Sequence, residues 1–261
     1  MSIRFNTDLH VHTFHSPCGD PEMFVSDILP LAVDKGIEFL ALTDHYYHFM
    51  DRLIFEEDRV SAKETIEDTG LDIQVVVGCE TEVMGPGRIA GGPELRGMLD
   101  FMMAGATHFQ NFGMTELPPG LNMRETALYY LETFRFAVSQ DWIDVIAHPF
   151  HVVRGVCEPE MLNELTDEDL IPALEIAKEN GVAMEISRRA LGGVQEQFSR
   201  RFYPLCKRIG LKFTIGSDAH RLSQVAQIHC LEPLVNDIGL TEDDLWRPAA
   251  KHVAVGACAG R

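Results

Sequence analysis

The chain has 261 residues, 46% hydrophobic and 24% charged, the ordinary composition of a soluble globular protein that buries a sizeable core. Its formal net charge of −18 repels phosphate backbones and excludes long nucleic acid as a partner, while leaving open a small phosphate drawn into a metal-lined pocket. No apolar run approaches the roughly 20 residues that span a bilayer, so no membrane contact is expected. The opening Met1-Ser-Ile-Arg-Phe-Asn6 lacks the apolar core of a signal peptide, which predicts a cytoplasmic protein.

The first predicted strand, Thr7 to His12, contains Asp8-Leu-His-Val-His12. Residues two apart on a strand share a face, so His10 and His12 project side by side while Leu9 and Val11 turn the other way. A loop with His15, Cys18 and Gly19 follows, then a helix from Pro21 to about Lys35 that Gly36 stops. The second strand, Glu38 to Thr43, ends in Asp44-His45, and a helical stretch from Asp51 to Thr69 closes at Gly70. The third strand, Ile73 to Gly78, ends at Cys79-Glu80. Met84 to Gly97 is rich in glycine and proline and reads as a long loop or hairpin.

A fourth strand, about Leu99 to Thr107, ends at His108. The loop from Gln110 to Leu121 leads to a helix from Met123 to Gln140. The fifth strand, Trp142 to Ala147, ends at His148-Pro149, and a loop bearing His151 and Arg154 precedes a helix from Thr166 or Asp167 to Asn180. The sixth strand, Val182 to Ile186, runs into Ser187-Arg188-Arg189, and a helix from Val194 to Ile209 ends at Gly210. The seventh strand, Leu211 to Ile215, ends in Gly216-Ser-Asp-Ala-His220, and helices from about residue 222 fill the remainder, with Thr241 an N-cap.

Seven strands alternating with helices imply parallel pairing and right-handed crossovers. No linker or composition break interrupts the chain, so residues 1–261 read as a single domain. The six cysteines form no Cys-x-x-Cys pair and are expected as reduced thiols. A closed barrel and an open doubly wound sheet both fit the alternation, and the polar residues decide between them. His10 and His12, His45, Glu80, His108, His148, and Asp218 with His220 all fall at strand ends. In an open sheet these ends spread along a line; a closed barrel gathers them over one mouth. Imidazole and carboxylate without obligatory thiolate suit zinc, iron or manganese. Eight ligands are too many for one ion, and a carboxylate such as Glu80 can bridge two, the usual device for phosphoryl displacement.

Asp8-Leu-His-Val-His12, Thr43-Asp-His45, Gly78-Cys-Glu80, His148-Pro149 and Ser217-Asp-Ala-His220 resemble, in order, the successive motifs of the PHP (polymerase and histidinol phosphatase) family. The resemblance implies a distorted seven-stranded (β/α)7 barrel of the α/β class, with two or three divalent metal ions and phosphoesterase activity. It implies one ion on His10, His12, Glu80 and Asp218, a second on Glu80, His108 and His148, and a third on His45 and His220. Where relatives place a further His or Asp ligand for the third ion, this chain has Cys18, with His15 a rival three residues earlier. Asp8 and Asp44 are candidates to orient an imidazole through its second nitrogen. Arg154, Arg188, Arg189 and Arg221 follow strand ends and are candidate phosphate-binding forks.

The expected function is hydrolysis of a small phosphate monoester, histidinol-phosphatase-like or on a nucleotide or sugar phosphate, by a metal-bridging hydroxide, with Glu80, Asp218 and His220 as the catalytic residues. The alternatives are an amidohydrolase-like C–N or C–O hydrolase and a non-catalytic metal-binding PHP module. No lysine lies at a strand end to serve the first, and the near-complete ligand set argues against the second.

Overall fold

A computed structural model of the chain describes residues 2–109, 117–153 and 155–248. The strands are β1 (Thr7–Val11), β2 (Phe39–Leu42), β3 (His45–Tyr46), β4 (Gln74–Gly85), β5 (Arg88–Ile89), β6 (Phe101–Gly105), β7 (Val145–Ala147), β8 (Ala183–Ile186) and β9 (Phe213–Ile215). The helices are α1 (Val25–Asp34), α2 (Leu53–Thr69), α3 (Pro93–Met98), α4 (Met123–Val138), α5 (Asp167–Glu179), α6 (Gly193–Ile209) and α7 (Glu232–Ile238). The main path of the sheet runs β1-β2-β4-β6-β7-β8-β9, parallel throughout, and corresponds one to one with the seven strands expected from sequence. β3 extends the β2 connection alongside β4, and β5 folds back on β4 as an antiparallel hairpin within the Met84–Gly97 stretch.

Local chemistry sets the helix ends. Asn122 and Glu125 form a capping box that starts α4, and Thr166 and Asp169 form another that starts α5. Gly70 and Gly210 take the left-handed conformation that ends α2 and α6. Helices cover the outside of the sheet through the larger apolar core. A second cluster fills the barrel interior: Leu9, Phe39, Ala41, Val76, Phe101, Met103, Val145, Ala147 and Ala183. Trp246, from the C-terminal segment, closes the lower end of this cluster, its ring against Phe101 and its backbone N–H donating to the Phe213 carbonyl. Leu9 belongs to this inner cluster and Val11 to the outer one, because the pairing of β1 with β2 shifts register between Asp8 and Val11. That irregularity re-aims the strand just where the two histidines leave it.

The ring closes between β1 and the segment after β9. The His12 N–H donates to the Ala219 carbonyl at 3.0 Å and Val11 bridges Ala219. Lower down the seam is held by a side chain. Asp8, fully buried, accepts from the Ser217 N–H at 2.8 Å and the Ala226 N–H at 3.1 Å. Burial pushes the Asp8 carboxyl up, and the N–H groups of Ser217, His10 and Ala226 offset part of that. Asp8 therefore closes the barrel instead of orienting an imidazole.

Asp8→Ala leaves two buried N–H groups without an acceptor at the one seam lacking a continuous ladder. The expected cost is about 2–4 kcal/mol, or roughly 5–15 °C in Tm. Thermal unfolding measures it, and a Tm unchanged within a degree contradicts this role for Asp8.

Candidate metal centre

The inward positions change character as the strands rise. At the bottom they are Phe39, Ala41, Val76, Phe101 and Val145; at the top they are Glu80, Glu82 and Glu185, all essentially buried, with the candidate histidines above and around them. Glycines make the room. A Cβ on Gly105 would lie 2.7 Å from the His108 ring and 2.9 Å from Glu80 Oε1, and one on Gly216 would lie 2.4 Å from Glu185 Oε1 and 2.5 Å from the His10 Cβ.

Glu80 is the centre of the arrangement. Its Oε1 lies 3.0 Å from His148 Nε2 and 3.7 Å from His108 Nε2; its Oε2 lies 3.2 Å from His10 Nε2, 3.4 Å from His45 Nδ1 and 3.5 Å from His12 Nε2. Burial alone would push this carboxyl up. The imidazoles of His45, His108, His10 and His148 outweigh it and hold Glu80 well below the usual carboxylate range. Asp218 behaves alike: burial raises it, and His10, His12, Arg189 and His148 bring it well down.

The surrounding hydrogen bonds assign the histidine tautomers. His10 Nδ1 lies 2.7 Å from Glu185 Oε1, so Nδ1 carries the proton and Nε2 points inward. His12 Nδ1 donates to Ser16 Oγ at 3.0 Å, because that hydroxyl spends its own proton on Asp44 Oδ1 at 2.6 Å. Asp44 thus orients His12 through Ser16. The two inward nitrogens, His10 Nε2 and His12 Nε2, face each other at 3.1 Å with Asp218 Oδ1 3.7 and 3.4 Å away. Neutral imidazoles in these tautomers direct two lone pairs at one point. A proton fills that point one way: despite burial, Glu185, Glu80 and Asp218 hold His10 well above the ordinary imidazole range. Burial, with His220, His45 and His10 adding to it, pushes His12 down to about 3, so His12 stays a neutral donor. A divalent cation fills it the other way, and the donor set fits one.

A second convergence lies across Glu80. His108 Nδ1 is 3.0 Å from Glu82 Oε1, which turns His108 Nε2 toward His148 Nε2 at 3.2 Å. Glu80 Oε1 is buried there with no hydrogen bond of acceptable geometry. The third group, His12, Cys18, His45 and His220, brings its donor atoms within 4.8 Å of one another. The His220 Nδ1 donates to the Asp218 carbonyl at 3.0 Å, leaving Nε2 for the cluster. Burial raises the Cys18 thiol, but hydrogen bonds with His220 and His45 bring it down to about 7, within reach of a ligating thiolate. His15 stands elsewhere, 3.5 Å from Glu57 and 3.7 Å from Asp58.

All nine sequence-nominated ligand residues therefore converge: His10, His12, Cys18, His45, Glu80, His108, His148, Asp218 and His220 each belong to a donor group or contact Glu80. The third expected strand, Ile73 to Gly78, has a different end. β4 runs on to Gly85, so Glu80 stands inside a strand, and Glu82, one inward position higher, joins the site 3.0 Å from His45 Nδ1. Sequence reasoning missed Glu82 and Glu185. Each is a carboxylate in an otherwise apolar or mixed strand, at the parity of the inward residues, and that parity was the available signal.

The candidate arginines separate. Arg189 Nε donates to Asp218 Oδ2 at 2.5 Å and Arg189 lines the metal pocket. Arg188 donates to the Ser217 carbonyl and Gln227 and lines the neighbouring cleft. Arg221 is exposed and lines neither. Arg154 lies outside the described residues. The metal pocket, about 160 Å³, shares His151, Val153 and Arg189 with a cleft of about 780 Å³ lined by residues from 151–153, 155–160 and 188–195.

The PHP domain matches residues 8–189. A probable phosphatase of Syntrophotalea carbinolica is 25% identical over a 259-residue alignment covering 94% of this chain and 92% of that protein. The crystal structure of histidinol phosphate phosphatase from Lactococcus lactis, complexed with zinc, L-histidinol and phosphate, superposes with a TM-score of 0.63 at 17% identity, over 90% of this chain and 94% of that one. A chain from structures of metal-dependent tyrosine phosphatases of Bacillus subtilis and Streptococcus pneumoniae gives a TM-score of 0.50 at 19% identity, over 89% and 88%. These likenesses share the barrel fold.

Cation and proton compete for the same inward nitrogens, so bound metal is lost as pH falls. Zinc at about 100 times its dissociation constant is expected to stabilise the protein by about 2.7 kcal/mol at neutral pH, roughly 5–10 °C. The gain grows as pH rises through the raised His10 value and shrinks below it, where the proton competes for the site. Melting with zinc and with chelator across pH measures it; a Tm indifferent to both at neutral pH contradicts the reading.

Proposed function

The chain belongs to the PHP domain family, and from that premise we propose that it is a metal-dependent phosphatase of small phosphate monoesters. The observation that carries this reading is the convergence of five imidazoles on the single buried carboxylate of Glu80, at the floor of a pocket that opens into a larger cleft. His10, His12, Glu80 and Asp218 would hold one ion. Glu80, His108 and His148 would hold a second, and His45, His220 and Cys18 a third. Bound there, divalent cations supply hydroxide at neutral pH and neutralise charge on the phosphoryl oxygens, which is the chemistry that phosphoester hydrolysis needs.

The chain's own residues do the rest. Glu80 and Asp218, both kept ionised by their neighbours, supply the negative charge that draws cations into a buried pocket. Arg189 pairs with Asp218 and lines both cavities, so its guanidinium faces a phosphoryl group at the join between them. His220, partly exposed at the mouth, would act through the third ion it helps to hold, because its Nδ1–H is committed to the Asp218 carbonyl. The pocket is sized for the phosphoryl group, and the cleft, lined by Val152, Val153, Leu191 and Val194 beside Gln195 and Glu158, takes the leaving group. Histidinol and phosphate in the Lactococcus lactis structure and the tyrosine phosphatases of the other relatives are consistent with a monoester whose leaving group is an alcohol or phenol.

Two outcomes test this. Glu80→Ala removes the shared carboxylate and is expected to abolish p-nitrophenyl phosphate hydrolysis, by on the order of 10³-fold or more, with bound metal falling in parallel. Retention of both metal and turnover contradicts it. Val194→Trp narrows the cleft without touching the metal groups. It is expected to lower kcat/KM for a bulky ester such as adenosine 5′-monophosphate by about tenfold, while bound metal and p-nitrophenyl phosphate turnover stay as they were. Equal effects on both esters place the leaving group elsewhere.

A further inference from the structure

Glu185 is fully buried on β8, in the run Ala183-Met-Glu-Ile186. Among the described residues, it belongs to no group of converging metal donors. Its two oxygens nevertheless reach both halves of the site. Oε1 lies 2.7 Å from His10 Nδ1, and Oε2 accepts the backbone N–H of His148 at 2.6 Å. His148 has φ +27°, a conformation that a residue with a Cβ adopts only against strain. β8 is otherwise anchored beneath it: the Tyr203 hydroxyl donates to the Glu185 carbonyl at 2.7 Å. Gly216 opposite has no side chain, and any Cβ there would displace Glu185 Oε1 and His10 together.

We propose that Glu185 is the positioning residue of the metal centre, one oxygen fixing the tautomer of His10 and the other holding the strained backbone from which His148 points. A carboxylate accepts at both oxygens and donates at neither. Facing His10 Nδ1, it admits the proton on that nitrogen and delivers the Nε2 lone pair inward. Facing the His148 N–H, it supplies the acceptor that a left-handed turn at the strand end otherwise lacks. A single rigid group thus sets the spacing between a ligand of the first ion and a ligand of the second.

The proposal rests on the metal-dependent reading of the site, and glutamine separates the two oxygens. In Glu185→Gln the amide oxygen can keep the His148 N–H, while the amide NH₂ then faces His10 Nδ1. A donor there favours the other tautomer, with the proton on Nε2 and the lone pair turned away from the ion. The expected result is a loss of about 10–100-fold in zinc affinity confined to the ion that His10 holds, with the His108–His148 ion retained. Glu185→Ala removes both oxygens and is expected to weaken both ions.

Zinc titration with metal analysis of the intact protein reads this directly. Nitrogen-15 spectra of zinc-loaded wild-type protein give a second readout that needs no variant to fold: His10 is expected to carry its proton on Nδ1. Unchanged zinc stoichiometry and affinity in Glu185→Gln, equal losses in the two variants, or an Nε2-protonated His10 in the loaded wild type each overturn the proposal. A wild-type protein that takes up no zinc fails the metal-dependent reading itself, which is a different result.

Discussion

The structure depends on one buried charge. Glu80 lies inside the barrel at 1% exposure, where an unpaired carboxylate would cost several kcal/mol or take up a proton. Five imidazoles lie within 3.7 Å, and those of His45, His108, His10 and His148 hold it well below the usual carboxylate range. Those imidazoles come from β1 and the residue after it, from β3, and from the segments that follow β6 and β7. No sheet topology other than near closure brings these ends within a side chain's reach of one oxygen pair. The electrostatic need of Glu80 and the geometry of the barrel are therefore the same constraint seen at two scales. The seam at β1 and β9 matters for that reason: Asp8 holds it, and His10 stands two residues away on the same strand.

Much of this was legible in the sequence because ligands at strand ends follow directly from where apolar runs stop. His10, His12, His45, His108, His148, Asp218 and His220 each end such a run, and the resemblance to a known set of motifs ordered them. Glu82 and Glu185 were not legible in the same way. The sequence showed β4 stopping at Gly78, yet the strand continues to Gly85, because hairpin pairing with β5 and the bridge to β3 extend its ladder past the barrel rim. Glu185 lies within its strand, and a charged residue inside an apolar run looks like a solvent-facing exception until the inward parity is known. Asp8 beside His10 invited a role as the histidine's partner. Its true partners are N–H groups more than 200 residues away, which no local pattern announces.

The backbone at the site also departs from what strand propensity alone would give. His148 and Asp218, both proposed ligands, have positive φ, at +27° and +52°. Each such residue costs roughly 1–3 kcal/mol. The surrounding bonds offset it: Glu185 takes the His148 N–H, Arg189 holds the Asp218 carboxylate, and His220 donates to the Asp218 carbonyl. Of the four positive-φ residues with a side chain among the described residues, these two carry proposed ligands, and buried partners that over-determine each fix the direction of a ligand more sharply than a relaxed turn would.

Chemistry and selectivity occupy different parts of the chain. Strand ends and strand interiors build the metal pocket, whose positions are set by ladder register and by glycines that clear space below the histidines. Loops and the start of α6 build the cleft, and Arg189 and His151 belong to both. Among the described residues, 152–153, 155–160 and 191–195 contribute no donor atom to the Glu80 cluster, and of these only Val153 lines the metal pocket. Any change that moves β8 moves Glu185, and with it both His10 and His148. The carboxylates beneath the histidines are thus fixed by strand register, whereas the cleft is lined by loops and the start of α6.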